Sequence, residues 1–504
     1  MKKFFAITTI MLSLALSACN NYMDINYDPN SPSEDAINTD ILFPAAEMNL
    51  AGSYGDFLRI CGGYYAQHYS QTFGTSNYID YSRFIMSATR SSGSYAQLNA
   101  RVLNTLKSVR TKSVASGDYA TNLAATALWA YTYQILVDCY GELPYTEAFS
   151  GNPTPKYDNG VDIYAGVIKE LEEALEQPLN SQTCTNFLFP SRDVAEWEQF
   201  ANAVLLKLYM RESGAVDVQA KLDALVAEGN FPESDVAYTN WTNEAGHMSP
   251  FYAEEFATNW GSTQQNVIGN IAIIRTMQQR DALGEITYTD GRLEKFFAPN
   301  AAGNYTGGVS GTNFSTAEGD PKSSTYWNRP VASYDMPVYI ITRSEIEFFL
   351  AEYYAKKNNA AQAKAHYEEA VRQSFASAKA EGADAAIAQF PYEQANYKKA
   401  IGLAKWIALA GTNNFEAWCE MRRLGYPTFG SVDGSQLFSE SRHTYTPDAY
   451  VPGTLYTPIQ VNGNLGNNTV LQRFPYAESS STRNSNAPKQ DETVYKTPVF
   501  WAGK

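Results

Sequence analysis

The chain has 504 residues, enough for about three domains of ~150 residues or for one large body with a substantial core. It carries 38 Lys and Arg against 53 Asp and Glu, a formal net charge of −15, which argues against a protein that binds nucleic acid or anionic lipid by neutralising phosphates. Aromatic residues make up 13% of the chain, and 35 of them are Tyr, so we expect some of these amphipathic rings at the surface.

The N-terminus has the pattern of an export signal. Lys2 and Lys3 precede an apolar stretch from Phe4 to Leu16, which is too short for a transmembrane helix of ~20 residues and is typical of a signal peptide. The stretch runs into Leu-Ser-Ala-Cys, which resembles the bacterial lipobox. We therefore predict a signal peptide over residues 1–18 and lipidation of Cys19. The alternative is an ordinary signal peptide in which this cysteine is incidental.

The segment after the lipobox is polar. Residues 19–38 contain Asp-Pro-Asn and Ser-Pro-Ser and few large apolar side chains, so we interpret them as a lipidated tether. We expect residues 39–504 to form a single domain. No segment of this domain has 18 consecutive apolar residues, which predicts a protein that is anchored by lipid and does not span the membrane.

The four remaining cysteines show no metal-binding spacing. No two of them form a Cys-x-x-Cys pair, and no His lies at a metal-ligand spacing from any of them, which argues against a zinc site. Export permits disulfides, but one sequence does not reveal a pairing. Buried free thiols in helices are the favoured interpretation for Cys139 and Cys419. The other two are Cys61 and Cys184.

Apolar periodicity predicts a mainly α fold. Amphipathic helices are expected around residues 164–175 and 197–208, where apolar side chains recur at i, i+3, i+4 and i+7. Residues 343–357 and 360–379 read as two antiparallel helices joined by Asn358-Asn359, with small Ala residues between them. Such hairpins resemble tetratricopeptide repeats in style. Residues 230–338 and 425–500 are instead rich in Gly, Asn, Ser, Thr and aromatic residues, which predicts long loop-rich segments with little β structure.

Four motifs carry a resemblance to a known family. Asp138–Phe149 is similar to the D-x-Y-G-x-I-P-Y-x-E-A stretch of the SusD/RagB-like outer-membrane nutrient-binding lipoproteins of Bacteroidetes. Ile341–Glu352, Glu416–Pro427 and Gln472–Tyr476 resemble later motifs of that family, in the same order. Further details resemble the second SusD-like subgroup: Gln67-His68-Tyr69, Asp290–Leu293 and Tyr305–Gly307. The C-terminus departs from the pattern, since Phe500-Trp501 stands where the family has two Trp.

The resemblance implies a function. It implies a surface-exposed lipoprotein of the outer membrane that binds an oligosaccharide nutrient and acts as the lid of a SusC-like TonB-dependent transporter. A peptide-binding member of the same family and a lipid-anchored glycosidase are the alternatives. Most of the recurring motif residues are expected to build the scaffold, because caps, turns and packing are what fixed spacing usually serves.

Catalytic signatures are missing from the sequence. It contains no G-x-S-x-G, H-E-x-x-H or P-loop pattern, and its four histidines suggest no triad. We therefore expect a binding protein and not an enzyme, without a cofactor, and the sequence gives no basis for assigning Ca²⁺. His68 is the histidine of most interest, because tyrosines surround it.

Aromatic clusters in loops are the candidate binding residues. Aromatic faces stack on sugar rings while amides and carboxylates bind hydroxyl groups, although core packing is the alternative role for each ring. We expect the segments 64–81 and 241–329 to meet on one face. The candidates are Tyr64, Tyr65, Tyr69, Tyr78, Tyr81, Trp241, Trp260, Tyr326, Trp327, Asn328 and Arg329.

Overall fold

A computed structural model describes residues 37–72, 77–257, 266–312, 327–439 and 444–503. The predicted signal peptide, the lipobox at Cys19 and nearly all of the tether lie outside these residues, and so do Trp260 and Tyr326. No helix within the described ranges is both long enough and apolar enough to cross a membrane. The single-domain assignment of residues 39–504 stays a prediction.

The described chain is mainly helical, which confirms the predicted fold class. In chain order the helices of four residues or more are α1 (Thr39–Ser53), α2 (Arg59–Tyr65), α3 (Ile79–Ser82), α4 (Ala88–Ala96), α5 (Asn104–Ser116), α6 (Tyr119–Tyr140), α7 (Gly160–Leu175), α8 (Val194–Glu212), α9 (Gln219–Glu228), α10 (Ile271–Met277), α11 (Leu293–Phe296), α12 (Arg343–Lys356), α13 (Ala360–Ala378), α14 (Ala383–Gln389), α15 (Tyr397–Leu409), α16 (Asn414–Leu424), α17 (Gly434–Leu437) and α18 (Glu478–Ser481). π-helical turns over Tyr54–Leu58, Gln97–Leu103 and Ala253–Ala257 adjoin helical segments.

The strands are short and form four antiparallel pairs. β1 (Tyr69–Gln71) pairs with β3 (Val267–Gly269), and β2 (Val236–Tyr238) pairs with β6 (Val338–Ile341). β4 (Gln278–Arg280) pairs with β5 (Ile286–Thr289), and β7 (Phe438–Ser439) pairs with β8 (Thr444–Tyr445). Five of these strands, β2 to β6, fall within the predicted loop-rich segment 230–338 or next to it, and β7 and β8 fall within 425–500, so the limited β structure lies largely where it was expected.

The predicted helical hairpin is present. α12 and α13 pack against each other, joined by Asn358 in the left-handed region (φ 56°) and by Asn359, whose side chain accepts a hydrogen bond from the amide of Gln362. Ala363 and Tyr367 of α13 are fully buried, because they lie on the stripe that faces α12. The tetratricopeptide-like interpretation of this region is therefore confirmed.

A buried ionic network ties the scaffold helices together. Arg211 of α8 donates to Asp138 of α6 across 2.6 Å and to Glu416 of α16, and all three side chains are fully buried. Lys207 lies 3.0 Å from Glu345 and 2.9 Å from Glu416. Burying such charges costs several kcal/mol each unless they are paired, which is why cations and carboxylates alternate here. The network joins α6, α8, α12 and α16.

The motif residues thus serve the scaffold, as expected. Asp138 also accepts hydrogen bonds from Tyr164 at 2.6 Å and from the indole of Trp501 at 2.8 Å. Arg422 donates to the carbonyl of Asp138 at 2.8 Å, and Arg423 lies 2.6 Å from Glu352. Phe500 stands where the family has a first Trp, but Trp501 is present and makes the buried hydrogen bond to Asp138.

Candidate binding site

An open cleft of about 720 Å³ lies between α1, the loop around residue 187 and the segment 238–254. We call it the binding cleft. Its walls combine aromatic, amide and carboxylate side chains with a few apolar ones. Its lining residues are Met48, Asn49, Gly52, Asp56, Gln97, Phe187, Tyr238, Asn240, Trp241, Gly246, His247, Met248, Pro250, Ala253 and Glu254.

The aromatic wall is built from sequence-distant segments. Tyr238 ends β2, which is held by its pairing with β6. The ring of Tyr238 lies 4.5 Å from that of Trp241 and 5.4 Å from that of Phe187, measured between centroids. Such tilted and edge-on contacts are favourable beyond the area they bury. They place three rings along one side of the cleft.

Backbone hydrogen bonds fix the loop that carries Trp241. The amide of Thr242 donates to the carbonyl of His247 at 2.8 Å, and the amide of His247 donates back to Glu244 at 2.9 Å. Farther on, the amide of Ser249 donates to the carbonyl of Tyr334 at 2.7 Å. The loop is therefore closed on itself and fastened to the segment that leads into β6.

Glu47 positions the third ring. Its carboxylate is buried and accepts hydrogen bonds from the amides of Phe187 at 2.7 Å and Leu188 at 3.2 Å. Burial raises the pKa of Glu47 to about 8. Asp40, two turns earlier on the same face of α1, accepts from the amide of Thr185 at 2.7 Å. Two acidic side chains of α1 thus hold the loop that brings Phe187 to the cleft.

The floor of the cleft carries a carboxylate group. Asp56 lies in the π-helical turn after α1, and burial together with the neighbouring Glu254 and Glu255 raises its pKa to about 7. No Lys or Arg is found among the described residues that line the cleft.

The π-helical turn that carries Asp56 lies close to β6. This approach is possible because residue 55 is Gly, where a Cβ atom would lie 2.5 Å from a methyl group of Val338.

The two predicted segments meet beside this cleft. β1 and β3 pair Tyr69 with Gly269, and the ring of Tyr69 stacks on Phe251 with centroids 5.9 Å apart. The phenol of Tyr78 donates to Oε1 of Glu255 at 2.6 Å. Residues 64–81 and 241–329 therefore contact each other, as expected, while a shared ligand-binding face stays a prediction.

Three candidate residues stay at or near the surface of this region. Trp241 is half-buried and lines the cleft. Tyr78 and Arg329 are also half-buried. The guanidinium of Arg329 lies 4.2 Å from the ring centroid of Phe256 and donates to the carbonyl of Glu255 at 3.2 Å. Arg329 and Tyr78 thus hold Glu255 from two sides.

The structure corrects the assignment of five other rings. Their side chains are at most 4% exposed, so their faces are covered by protein and offer nothing to a ligand. Core packing outweighs ligand stacking here because each ring joins a cluster of other rings, such as Tyr65 with Trp418 at 5.6 Å and Trp327 with Tyr445 at 6.0 Å. The five are Tyr64, Tyr65, Tyr69, Tyr81 and Trp327.

Asn328 and His68 are interior residues too. The side chain of Asn328 is fully buried, accepts from the amide of Thr306 at 2.8 Å and donates to the carbonyl of Ala298 at 3.0 Å. It therefore organises loops and is not a ligand-binding residue. His68 is buried against Trp406, with centroids 5.2 Å apart, and burial lowers its pKa to about 3, so it stays neutral within the core.

Sequence reasoning missed most of the cleft. Asn49, Asp56, Gln97 and Phe187 come from three separate segments, none of which carries a motif. The approach of Phe187 to Tyr238 depends on a carboxylate of α1 that binds the loop backbone. Among the predicted residues that the structure describes, Trp241 lines the cleft, and it lies in a stretch rich in Trp and Asn.

A metal site does not fit the scaffold carboxylates. Asp138, Glu416 and Cys419 have ligand atoms within 4.8 Å of one another. However, Arg211 donates to both carboxylates, so a cation already neutralises them. Burial raises the pKa of the Cys419 thiol well above its usual range, which opposes the thiolate that a metal requires. All four described cysteines are buried and free, as predicted for Cys139 and Cys419.

A family model matches residues 29–445, and the family is described as starch-binding associating with outer membrane. The chain belongs to this SusD-like family. The match is to the second SusD-like subgroup, which confirms the resemblance seen in the motifs. The family description is that of outer-membrane-associated binding proteins rather than enzymes. No curated protein matches the sequence.

Solved structures share the SusD-like fold at low identity. A SusD homologue from Bacteroides uniformis is 20% identical, with a TM-score of 0.72 over 92% of this chain and 100% of its own. A chitin-binding protein is 21% identical, with a TM-score of 0.69 over 93% of this chain and 100% of its own. A SusD homologue from Bacteroides thetaiotaomicron is 20% identical, with a TM-score of 0.66 over 91% and 99%. Identities this low show the fold alone.

Proposed function

We propose that this protein binds a neutral oligosaccharide nutrient in the binding cleft and leaves it chemically unchanged. The observation that carries the proposal is the lining of the cleft, where Phe187, Tyr238 and Trp241 lie close to amide and carboxylate side chains. Ring faces stack on the apolar faces of sugars, and amides and carboxylates bind the hydroxyl groups. The volume of about 720 Å³ is large enough for a segment of several sugar rings.

Charge supports a neutral ligand over an acidic one. Asp56 and Glu254 line the cleft, and no described Lys or Arg lines it with them. A uronate or sulfated sugar would bring a like charge towards these carboxylates, which costs binding energy. Hydroxyl groups of a neutral sugar would instead donate to Glu254 and Asp56, or accept from Asp56 when it is protonated, since the pKa of Asp56 is about 7.

The comparisons support a glycan. The family to which the chain belongs is described as starch-binding, and one similar structure is that of a chitin-binding protein. Both names refer to neutral polysaccharides. A peptide ligand, the alternative left open by the sequence, is distinguished by the binding experiment below.

We place the protein at the cell surface, anchored through lipid on Cys19 in the outer membrane. There it would act as the lid of a SusC-like TonB-dependent transporter and deliver the bound oligosaccharide to it. The lipobox-like Leu-Ser-Ala-Cys and the family description support this location. We expect Cys19→Ala to abolish acyl labelling and membrane fractionation. A variant that keeps its acyl label and stays with the membrane would refute the anchor.

Binding is tested with a panel of neutral oligosaccharides, acidic oligosaccharides and peptides by isothermal titration calorimetry. The proposal predicts binding of one or more neutral oligosaccharides. It also predicts an unchanged chromatographic profile after long incubation, which separates binding from hydrolysis. Binding of peptides alone, or new reducing ends above those of a heat-inactivated control, would overturn it.

A further inference from the structure

A second concave surface lies on a different part of the molecule. α6 forms its floor, while α5 and α7, which both pack on α6, form its sides. It is an open depression of about 640 Å³ and shares no lining residue with the binding cleft. We call it the α6 groove. Its lining residues are Lys107, Arg110, Thr111, Val114, Tyr119, Asn122, Thr126, Glu170, Glu173, Ala174 and Gln177.

A short turn sets the geometry of the groove. α5 ends at Ser116, Gly117 after it adopts the left-handed region (φ 74°), and the side chain of Asp118 accepts from the amide of Thr121 to cap α6. Gly tolerates this conformation without strain and is common after helix ends. The two helices therefore run side by side, and the first turn of α6 lies at the bottom of the groove between its neighbours, with Tyr119 half-buried and Asn122 9% exposed.

One end of the groove is closed by fixed side chains. Arg110 of α5 reaches across α6 to Glu170 of α7, with the charged atoms 2.9 Å apart. Its Nε donates to Thr126 at 3.0 Å, and its guanidinium lies 4.9 Å from the ring centroid of Trp129. Tyr145 donates to the other oxygen of Glu170 at 2.8 Å. This wall is held in place without a ligand, so the groove is preorganised.

Asn122 offers an unused amide at the floor. It is 9% exposed, it lines the groove, and its side chain makes no hydrogen bond with any residue in the described part of the chain. Its amide is not among the buried side-chain atoms that lack a partner, so it is open to the groove and available to a ligand there. The rest of the floor around it is apolar or already bonded. A ligand with hydroxyl or amide groups would satisfy this side chain.

The charges of the groove balance. Lys107 and Arg110 face Glu170 and Glu173, so the lining has no net charge. Arg110 is paired with Glu170, and the ammonium of Lys107 donates to the carbonyl of Phe149. Because the lining has no net charge, a charged ligand gains no overall electrostatic attraction in the groove, which favours a neutral ligand.

We propose that the α6 groove is a second binding site for a neutral oligosaccharide, separate from the binding cleft. Asn122, the amide of Gln177 and the hydroxyl of Thr111 bind sugar hydroxyl groups, while Tyr119 and Val114 contact the apolar face of a ring. This inference rests on the proposed function. A polysaccharide that engages both sites on one molecule is held longer than either site alone would hold it, because the second contact becomes intramolecular.

Hydrogen exchange with mass spectrometry tests the two sites separately. The probes are maltoheptaose, cellohexaose, xylohexaose and N-acetylchitohexaose, added to the full mature chain. We expect one probe to slow amide hydrogen exchange in residues 48–56 and 238–254 of the cleft. The same probe should also slow exchange in residues 107–126 and 170–177 of the groove. Protection confined to the cleft would overturn the second site and leave the proposed function standing. Protection at neither site with any probe would overturn both.

Variants link the protection to named side chains. Asn122→Ala and Gln177→Ala should each weaken binding at the groove by about fivefold, the effect of one net hydrogen bond. Asn122→Ala should fold, since it removes no hydrogen bond and Ala favours helices. Gln362→Ala, an exposed glutamine of α13, is the matched control and should change neither site.

A cleft variant completes the design. Trp241→Ala should weaken binding at the cleft about tenfold, and so reduce the protection of the cleft at a limiting ligand concentration, while leaving the protection of the groove unchanged. Groove protection that survives both Asn122→Ala and Gln177→Ala unchanged would contradict the proposal. Protection of the groove by a mixture of charged peptides, and by none of the sugars, would overturn the ligand class.

Discussion

The phenol of Tyr78 donates a hydrogen bond to Oε1 of Glu255 across 2.6 Å, although the two residues lie 177 positions apart. This contact joins the tyrosine-rich segment after α2 to the helical turn that ends the wall of the binding cleft. Burial raises the pKa of Glu255, and burial together with that carboxylate raises the pKa of Tyr78. The phenol therefore keeps its proton and remains a donor at physiological pH.

Trp241→Ala tests the aromatic wall. Loss of one stacking ring should lower the affinity for the bound oligosaccharide about tenfold, or by about 1.4 kcal/mol. Calorimetry measures the affinity, and circular dichroism checks the fold. Tyr354→Ala removes a half-buried ring of α12 away from the cleft and serves as the control. Equal affinities for the two variants would remove Trp241 from the site.

Asp56→Asn tests the acidic floor through stability. In the folded protein the pKa of Asp56 is about 7, above the ordinary 3.8. The folded state therefore holds this proton more tightly than the unfolded chain does, and ionisation of Asp56 destabilises the fold as pH rises from about 4 to 7. The variant should be more stable than the wild type at pH 8, by at most about 4 kcal/mol.

The same pair of proteins supplies the control for that experiment. At pH 4 the carboxyl group is protonated in the folded wild type, so the two proteins should have the same urea midpoint. A stability difference that is as large at pH 4 as at pH 8 would show that packing, and not ionisation, causes it.

Glu47→Ala should loosen the loop that carries Phe187. It removes the acceptor of two backbone amides, those of Phe187 and Leu188, which should cost about 1–3 kcal/mol. Exchange of these amides should become faster, and the affinity at the cleft should fall. Glu47→Gln keeps one acceptor oxygen and should show an intermediate effect. Unchanged exchange in Glu47→Ala would mean that other contacts hold the loop.

Arg211→Met should destabilise the scaffold without touching the cleft. It leaves Asp138 and Glu416 buried without their shared cation, and breaking a buried pair in this way typically costs about 3–5 kcal/mol. Urea unfolding followed by circular dichroism measures the change. A loss below about 1 kcal/mol would show that the carboxylates take up protons at little cost.

Helical periodicity predicted the scaffold well because one face of each helix is buried. The stripe of Ala363 and Tyr367 and the turn at Asn358-Asn359 occupy the places that the sequence indicated. The motif around Asp138 marked a buried charge centre, although its partner Arg211 lies outside every motif. Pairing between distant charges leaves no periodic pattern in a sequence.

The candidate site was predicted less completely. Clustering of rings identified segments that do meet, but it does not distinguish a ring that faces solvent from one that faces other rings. Tyr65 and Tyr78 look alike in sequence, yet the first packs on Trp418 and the second lies half-buried beside Glu255. Phe187 reaches the cleft through a bond between its backbone and Glu47, which composition does not reveal.

The most direct measurement is a crystal structure of the protein with the neutral oligosaccharide that binds most tightly in calorimetry. We expect a sugar ring against Trp241, hydroxyl groups directed at Asp56 and Glu254, and intact glycosidic bonds. An oligosaccharide found only away from residues 48–56 and 238–254, or one cleaved in the cleft, would contradict the proposed binding function of this site.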